Sequence, residues 1–409
     1  MGKKLSFKST IIACYAGYIT QAAVNNLAPI LFVIFQQKYS LSYEMLSVLI
    51  ILNFFTQLLV DAVSVRLCRY VSPRTLTVFA HIMCGAGLVL LGVFPLLLPR
   101  PFFGLAAAVM IYAVGGGLTE VLISPIIEAI PDTVGSEKAA AMSLLHSFYC
   151  WGQVAVVLLS TGFIFLFSDE HWYILPLVWA VLPMINAVVF TRVPVALQKS
   201  GHEALSVFSL LKTKGFSLIL VMMFCAGACE LTMSQWSSLF AQRGLMISKA
   251  LGDLLGPCLF AVLMGLGRVL YSVFADKVNL YKIMALSGLL CVACYITAAL
   301  SDNAVLSLAA CALCGLSVAV MWPGTYSLAA ARIKNGGTGM FSIMSLLGDF
   351  GFGAGPFVAG MICDKVTSVG LSEAAGMKTG FGFSVVFPTV LIVSSVILLF
   401  IFAKKSKTE

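Results

Sequence analysis

Long apolar stretches, each bounded by a few polar or basic residues, repeat from one end of this chain to the other. Read as helices they number twelve, near residues 11–36, 43–66, 73–97, 102–130, 139–167, 172–192, 215–241, 250–275, 280–300, 303–331, 338–363 and 380–403. Each has the roughly 18 or more residues that a helix needs to cross about 30 Å of hydrocarbon. Helices suit that medium because every backbone N–H and C=O finds its partner within the segment, where lipid offers none. The pattern predicts an all-α membrane protein of twelve transmembrane helices. A polar connection over 193–214 divides it into two six-helix bundles, 1–192 and 215–409, joined by a cytoplasmic linker.

Composition strengthens that picture. Of the 409 residues 60% are hydrophobic and only 10% charged, and the mean hydropathy is +1.02. A soluble domain carries about 25% charged residues, so this chain cannot clothe itself in a polar surface. The net charge of +8 is a matter of topology. Eighteen of the 25 Lys and Arg residues fall on the side that holds the N-terminus, six fall on the other, and Arg268 lies inside a span. Basic residues collect on the cytoplasmic side of membrane proteins, so both termini are expected in the cytoplasm of a bacterial cell, and no nucleic-acid partner is needed. The start "MGKKLSFKS" is not followed by a short apolar run with an A-x-A-like site, so the first hydrophobic run reads as a span and not a cleaved signal.

Twelve cysteines include two CxxC pairs, Cys291/Cys294 and Cys311/Cys314. In a soluble protein that spacing would suggest zinc. Here both pairs sit in the middle of apolar helices without ionic neighbours, which favours packing as small hydrophobes. No metal site is expected.

The two halves echo each other. "MSLLHSFYCWG" (142–152) in span five matches "MSLLGDFGFGAG" (344–355) in span eleven. Asp61, with Arg66 and Arg69, near the end of span two has a counterpart in Asp276 and Lys277 after span eight. The glycines before Ser124-Pro125 are matched by Gly315 before Trp322-Pro323. Duplicated halves about a central site are a general plan of secondary transporters.

Over essentially its full length the chain resembles the major facilitator superfamily. "YSVFADKVNLYK" (271–282) is similar to that superfamily's signature loop, and the resemblance implies that Asp61, Arg66, Asp276 and Lys277 act as gating or structural charges and not as substrate contacts. A narrower resemblance lies in "NNLAPILFVIFQQKYSL" (25–41), which is similar to the first helix of the fucose permease family of sugar–proton symporters. Asn25, Asn26, Leu27, Ile30, Leu31, Phe35, Gln36 and Gln37 match it, as does a glutamate five residues before a proline in span four, here Glu120 and Pro125. "GACELTMSQW" (227–236) and "GFGAGPFVAG" (351–360) resemble segments of spans seven and eleven in such sugar transporters. Where the fucose permeases carry a first-helix carboxylate, this chain has Pro29, which removes a residue implicated there in sugar and proton handling and leaves Glu120 as the main coupling candidate.

The spacing of polar residues selects the same region. Tyr18, Gln21 and Asn25 form a stripe on helix one, joined at i+11 by Pro29, and such side chains in a membrane helix require partners, whether a ligand, water or a neighbouring helix. A carboxylate near the bilayer centre costs about 2.5–3.5 kcal/mol on insertion scales, so Glu120, inside "GGGLTEVLISPII" (115–127), demands a function. Glu120 and His146 are expected at similar depth on adjacent antiparallel helices, where they could relay a proton or form a fixed hydrogen bond. Glu128, lower on the same stripe, belongs nearer the headgroups. Tyr149 joins the candidate substrate-binding set with Asn26, Glu230, Ser234, Trp322, Tyr326 and Asp349, since aromatic faces beside amides and carboxylates suit sugar rings. Arg268 is a candidate counter-ion for Asp349 or Glu230.

These features predict a proton-coupled importer of a monosaccharide or similar small polar solute, working by alternating access as a monomer in the bilayer. The residue types leave sodium coupling open. Alternatives are an exporter of amphipathic compounds on the same fold and a non-transporting membrane sensor. Enzymatic chemistry is not indicated, with no phosphate-binding loop or catalytic triad signature, and no cofactor is expected beyond the ion gradient.

Overall fold

A computed structural model of the chain describes residues 6–67, 70–128, 130, 137–195, 207–274, 279–333 and 337–403. Contacts divide the chain into two units, Met1–Ser200 and Gly201–Glu409. In the first unit the helices are α1 (Phe7–Ile30), α2 (Phe32–Tyr39), α3 (Tyr43–Leu67), α4 (Pro73–Leu97), α5 (Pro101–Glu128), α6 (Glu137–Phe167) and α7 (Ile174–Arg192). In the second they are α8 (Val207–Lys212), α9 (Phe216–Leu239), α10 (Lys249–Asp253), α11 (Leu259–Phe274), α12 (Leu280–Leu300), α13 (Ala304–Val318), α14 (Met321–Arg332), α15 (Gly337–Ser368), α16 (Glu373–Ser384) and α17 (Val386–Ala403). The expected connection 193–214 thus contains one short helix, α8.

Among the described residues, eleven helical segments are long and apolar enough to cross a membrane, and the pair α1 and α2, bent by 42°, makes a twelfth crossing. The bend has a local cause. Pro29 lies inside α1, has no N–H to give the carbonyl of Asn25, and its ring crowds that carbonyl. Proline also marks the break between α13 and α14, where Pro323 has no N–H for the carbonyl of Ala319, and the π-helical turn Leu254–Cys258 that joins α10 to α11 contains Pro257. Helix starts are capped as their sequences suggest. Ser72 accepts from the Thr75 N–H with Pro73 following it, and Asn279, Asn303 and Ser372 accept from the N–H groups three residues on.

Both units repeat one packing scheme. Counting crossings within a unit, the first packs on the fifth (α1 on α6; α9 on α15), and the second on the fourth (α3 on α5; α11 on α13). The third packs on the fourth (α4 on α5; α12 on α13) and on the sixth (α4 on α7; α12 on α17). The internal echo in the sequence is therefore an echo of fold. Small residues make the closest crossings possible: a Cβ on Gly115 would fall 2.3 Å from the Ala80 carbonyl oxygen, and one on Gly351 2.1 Å from that of Phe224. Large apolar side chains such as Leu159, Phe165, Leu300 and Val305 are more than 60% exposed, which fits lipid and not water. The first crossing of each unit is the most enclosed, with nearly all of α9 buried. Its polar residues therefore meet protein partners instead of lipid.

Candidate functional site

In the first unit the polar residues of three helices join into one network. Gln21 on α1 donates to Gln57 Oε1 on α3 (2.9 Å) and to Glu120 Oε2 on α5 (3.1 Å). Gln57 in turn donates to Asn25 Oδ1 (2.8 Å) and Asn53 Oδ1 (3.0 Å), and Asn53 donates to Asn25 Oδ1 (3.1 Å). The Asn25 amide reaches Tyr149 on α6 (3.5 Å), and the Tyr18 hydroxyl meets Ser124 (3.0 Å). Gln21, Asn25, Asn53 and Gln57 are all buried, whereas Glu120 keeps partial access. Among the described residues Glu120 has amide and carboxylate neighbours and no basic partner.

Two members, Asn53 and Gln57, were not expected from sequence. Their signal was present: Asn53, Gln57 and Asp61 recur at i, i+4 and i+8, a single face of α3. Asp61 sits six residues before the end of α3 at Leu67, near the end of the span as expected, with Oδ1 against Gly117 of α5 and within electrostatic reach of Glu120. The Asn26 amide donates to the Ala22 carbonyl of its own helix (2.9 Å). His146 and Arg66 have side chains outside the described residues, as do Glu128 and Pro125, and Asp276 and Lys277 are outside altogether. The expected pairing of Glu120 with His146 thus lies outside the described residues, within which Glu120 is bonded by Gln21.

A second histidine, His81, is fully buried between α1, α4 and α7. Its Nδ1 donates to the Thr77 carbonyl (2.8 Å) and Nε2 accepts from Asn186 (2.9 Å), which also donates to the Ala13 carbonyl (2.9 Å). With both nitrogens used, His81 works as a clamp on the bundle.

The second unit treats its acids differently. Glu230 on α9 pairs with Arg268 on α11 (3.4 Å), one of the two counter-ion pairings expected. Asp253 accepts from Lys249 (2.9 Å) and from Ser238. Ser234 and Asp349 are buried on α9 and α15. Trp322 stacks on Phe352 (centroids 4.7 Å apart, planes 11° apart), which occupies one indole face, and meets Tyr326 edge-on. The Tyr326 hydroxyl bonds Ser345 (2.5 Å). Of the CxxC cysteines, Cys291 and Cys314 approach to 3.9 Å across α12 and α13 and are fully buried. Among the described residues no group of three metal-binding side chains has the geometry to hold an ion.

The profile of the Major Facilitator Superfamily matches residues 13–356. The chain belongs to that superfamily. As a major facilitator it is a membrane transporter and not an enzyme, and it acts on a small-molecule substrate. "Membrane protein MosC" of Rhizobium meliloti is 28% identical over 176 residues, 43% of this chain and 42% of that protein, so the match spans well under half of that relative. Solved major facilitator structures share the fold across nearly the whole chain at low identity. A bacterial homologue of the human lysosomal transporter Spinster aligns at TM-score 0.76 and 13% identity, covering 97% of both chains. A D-xylose–proton symporter aligns at 0.75 and 11%, covering 96% and 97%. The E. coli fucose:proton symporter aligns at 0.65 and 16%, covering 96% and 99%.

Proposed function

We propose that this transporter imports a monosaccharide or similar small polar solute together with protons, by alternating access, as a monomer in a bacterial cytoplasmic membrane with both termini inside. The observation that carries the reading is the chain of side-chain hydrogen bonds from Glu120 through Gln21 and Gln57 to Asn25 and Asn53. Amides in this setting offer donors and acceptors in pairs, the chemistry that hydroxyl groups of a sugar require. A ligand hydroxyl can replace one amide–amide bond with two of its own, so opening the network to a sugar strands no polar group. Glu120 is the coupling residue. Ionised, it accepts from Gln21; protonated, it becomes a donor, and the network re-pairs. A proton on Glu120 thus changes the hydrogen-bonding pattern that the substrate meets, which is the differential interaction coupling needs. This density of amides supports import of a polar solute over export of amphipathic compounds, and the resemblance of residues 25–41 to sugar–proton symporters supports it as well.

A thermal-shift screen of the purified protein against sugars, polyols, nucleosides and organic acids identifies the ligand, since a molecule that binds the folded state raises its apparent stability. The hit is then followed in proteoliposomes under an inward proton gradient. Gradient-driven uptake unchanged by Glu120→Gln refutes the coupling role, and a hit whose stabilisation survives Asn25→Ala refutes the site.

A further inference from the structure

We propose that the hairpin between α4 and α5 holds one phospholipid, with Arg100 on its phosphate and an acyl chain in the groove beside that residue. The inference does not depend on which solute is carried.

The hairpin reads "LLLPRPFF" (96–103). Leu96, Leu97 and Phe103 are each more than half exposed, and Arg100 is exposed among them. Leu98, Pro99, Arg100 and Phe103 line an open groove of about 310 Å³. The groove is formed in advance of any ligand. Proline fixes φ at Pro95, Pro99 and Pro101, and the Phe103 N–H closes the turn on the Arg100 carbonyl (3.2 Å). The two arms are pressed together at Gly104, where a Cβ would lie 2.9 Å from the backbone carbonyl carbon of Phe94. A ligand therefore has little left to order.

Charge selects the occupant. Of the basic residues expected on the side opposite the N-terminus, Lys38, Arg243, Lys249 and Lys378 are committed to partners within their own units. The side chains of Arg100 and Lys365 have no hydrogen bond or ion pair among the described residues. Of these two, Arg100 is the one at the groove. Arginine near the end of a membrane helix reaches the headgroup level, where the abundant anion is phosphate. Its planar fork binds that group through two N–H donors. The walls distinguish a lipid from a free ion. Leu98, Pro99 and Phe103 offer nothing to inorganic phosphate, whereas an acyl chain gains apolar contact from them.

The duplicated fold supplies the contrast. In the second unit the third and fourth crossings, α12 and α13, are joined by Ser301, Asp302 and Asn303. That turn is polar: Asn303 caps α13, and Asp302 is met by Lys378. The same connection is thus made there without an apolar tip or an unmatched cation. The fold itself requires neither, so their presence in the first unit points to a ligand.

The test uses full-length protein purified in a non-ionic detergent, stripped of lipid and titrated with dioleoylphosphatidylglycerol. Native mass spectrometry counts lipids and chains, and thermal shift follows stability. We expect one lipid per chain to bind more tightly than the rest. Arg100→Gln should weaken that binding about fivefold, the worth of one basic residue near a phosphate surface, and Phe103→Ser should weaken it too. Lys365→Gln, which removes a charge away from the groove, should bind as the wild type does. Inorganic phosphate and dioleoylglycerol each supply one half of the ligand and should not stabilise the protein. Wild-type binding by Arg100→Gln overturns the proposal, as do equal losses in Arg100→Gln and Lys365→Gln, which would mark a general effect of charge. Stabilisation by phosphate alone or by dioleoylglycerol alone overturns the joint site. Lipids bound without one tighter than the others overturn it as well. A lipid-free dimer that Arg100→Gln dissociates would assign the hairpin to a second copy of the chain instead.

Discussion

Glu120 in the first unit and Glu230 in the second are both acids within membrane-spanning helices, and they are handled in opposite ways. Glu230 is 4% exposed and sits 3.4 Å from the guanidinium of Arg268. Its charge is matched permanently by a group with no accessible neutral form. Glu120 is held by an amide and faced by a second carboxylate, Asp61. An acid paired with arginine has a fixed counter-charge beside it. An acid balanced by amides can exchange a proton, because neither of its forms strands a partner. The difference supports the coupling role proposed for Glu120 in the first unit.

The largest effect that would break this comparison is in transport. Glu120→Gln is expected to lower gradient-driven accumulation of the substrate at least tenfold while substrate exchange without a gradient persists, and the two assays on one proteoliposome preparation separate these outcomes. Next comes stability. Arg268→Met leaves Glu230 buried without its counter-ion and should cost about 3–5 kcal/mol, seen as a lower thermal midpoint, and Glu230→Gln in the same chain should recover most of the loss. Gln21→Leu in the first unit should cost less, about 1–3 kcal/mol, the range for stripping a partner from buried polar groups. An equal loss for both variants would erase the distinction drawn between the units.

Packing offers a finer contrast. Gly351→Ala forces a methyl against the Phe224 carbonyl on α9 and should cost about 1–3 kcal/mol. Gly162→Ala on α6 meets nothing within 4 Å and should stabilise by about 0.5–1 kcal/mol through helix propensity. Thermal unfolding of the two variants checks both signs.

The smallest effect is at the surface. Asp302, in the turn between α12 and α13, accepts from Lys378 (2.8 Å), and that hydrogen bond and charge hold its carboxyl below the usual aspartate range. A lowered carboxyl value adds stability above the ordinary aspartate value, about 3.8, and the contribution fades as pH falls below it. Because Asp302 is fully exposed, Lys378→Met should change the thermal midpoint at neutral pH by no more than measurement error. A large shift there would mean that the exposed pair outweighs the buried one.

Much of the candidate site was legible along the chain, and the misses have physical reasons. Tyr18, Gln21 and Asn25 were visible because a stripe on one helix is a local pattern set by 3.6 residues per turn. Asn53 and Gln57 obey the same rule on α3 and could have been found by it. The position of Asp61 near the end of its helix was legible, since span two was read to residue 66 and α3 ends at Leu67, but its approach to Gly117 on α5 depends on how two helices pack. Arg268 had two possible partners, and spacing along α11 could not choose between Glu230 and Asp349.

Local chemistry alone determined the membrane character of this protein, its twelve crossings and its duplicated halves, since hydropathy and span length act residue by residue. Which side chains meet was decided by tertiary structure. Gln21 and Glu120 are 99 residues apart, and their contact depends on how far two helices are rotated and how deeply each sits. Those quantities come from close packing at positions such as Gly115 and Gly117, where the absence of a side chain lets one backbone settle against another.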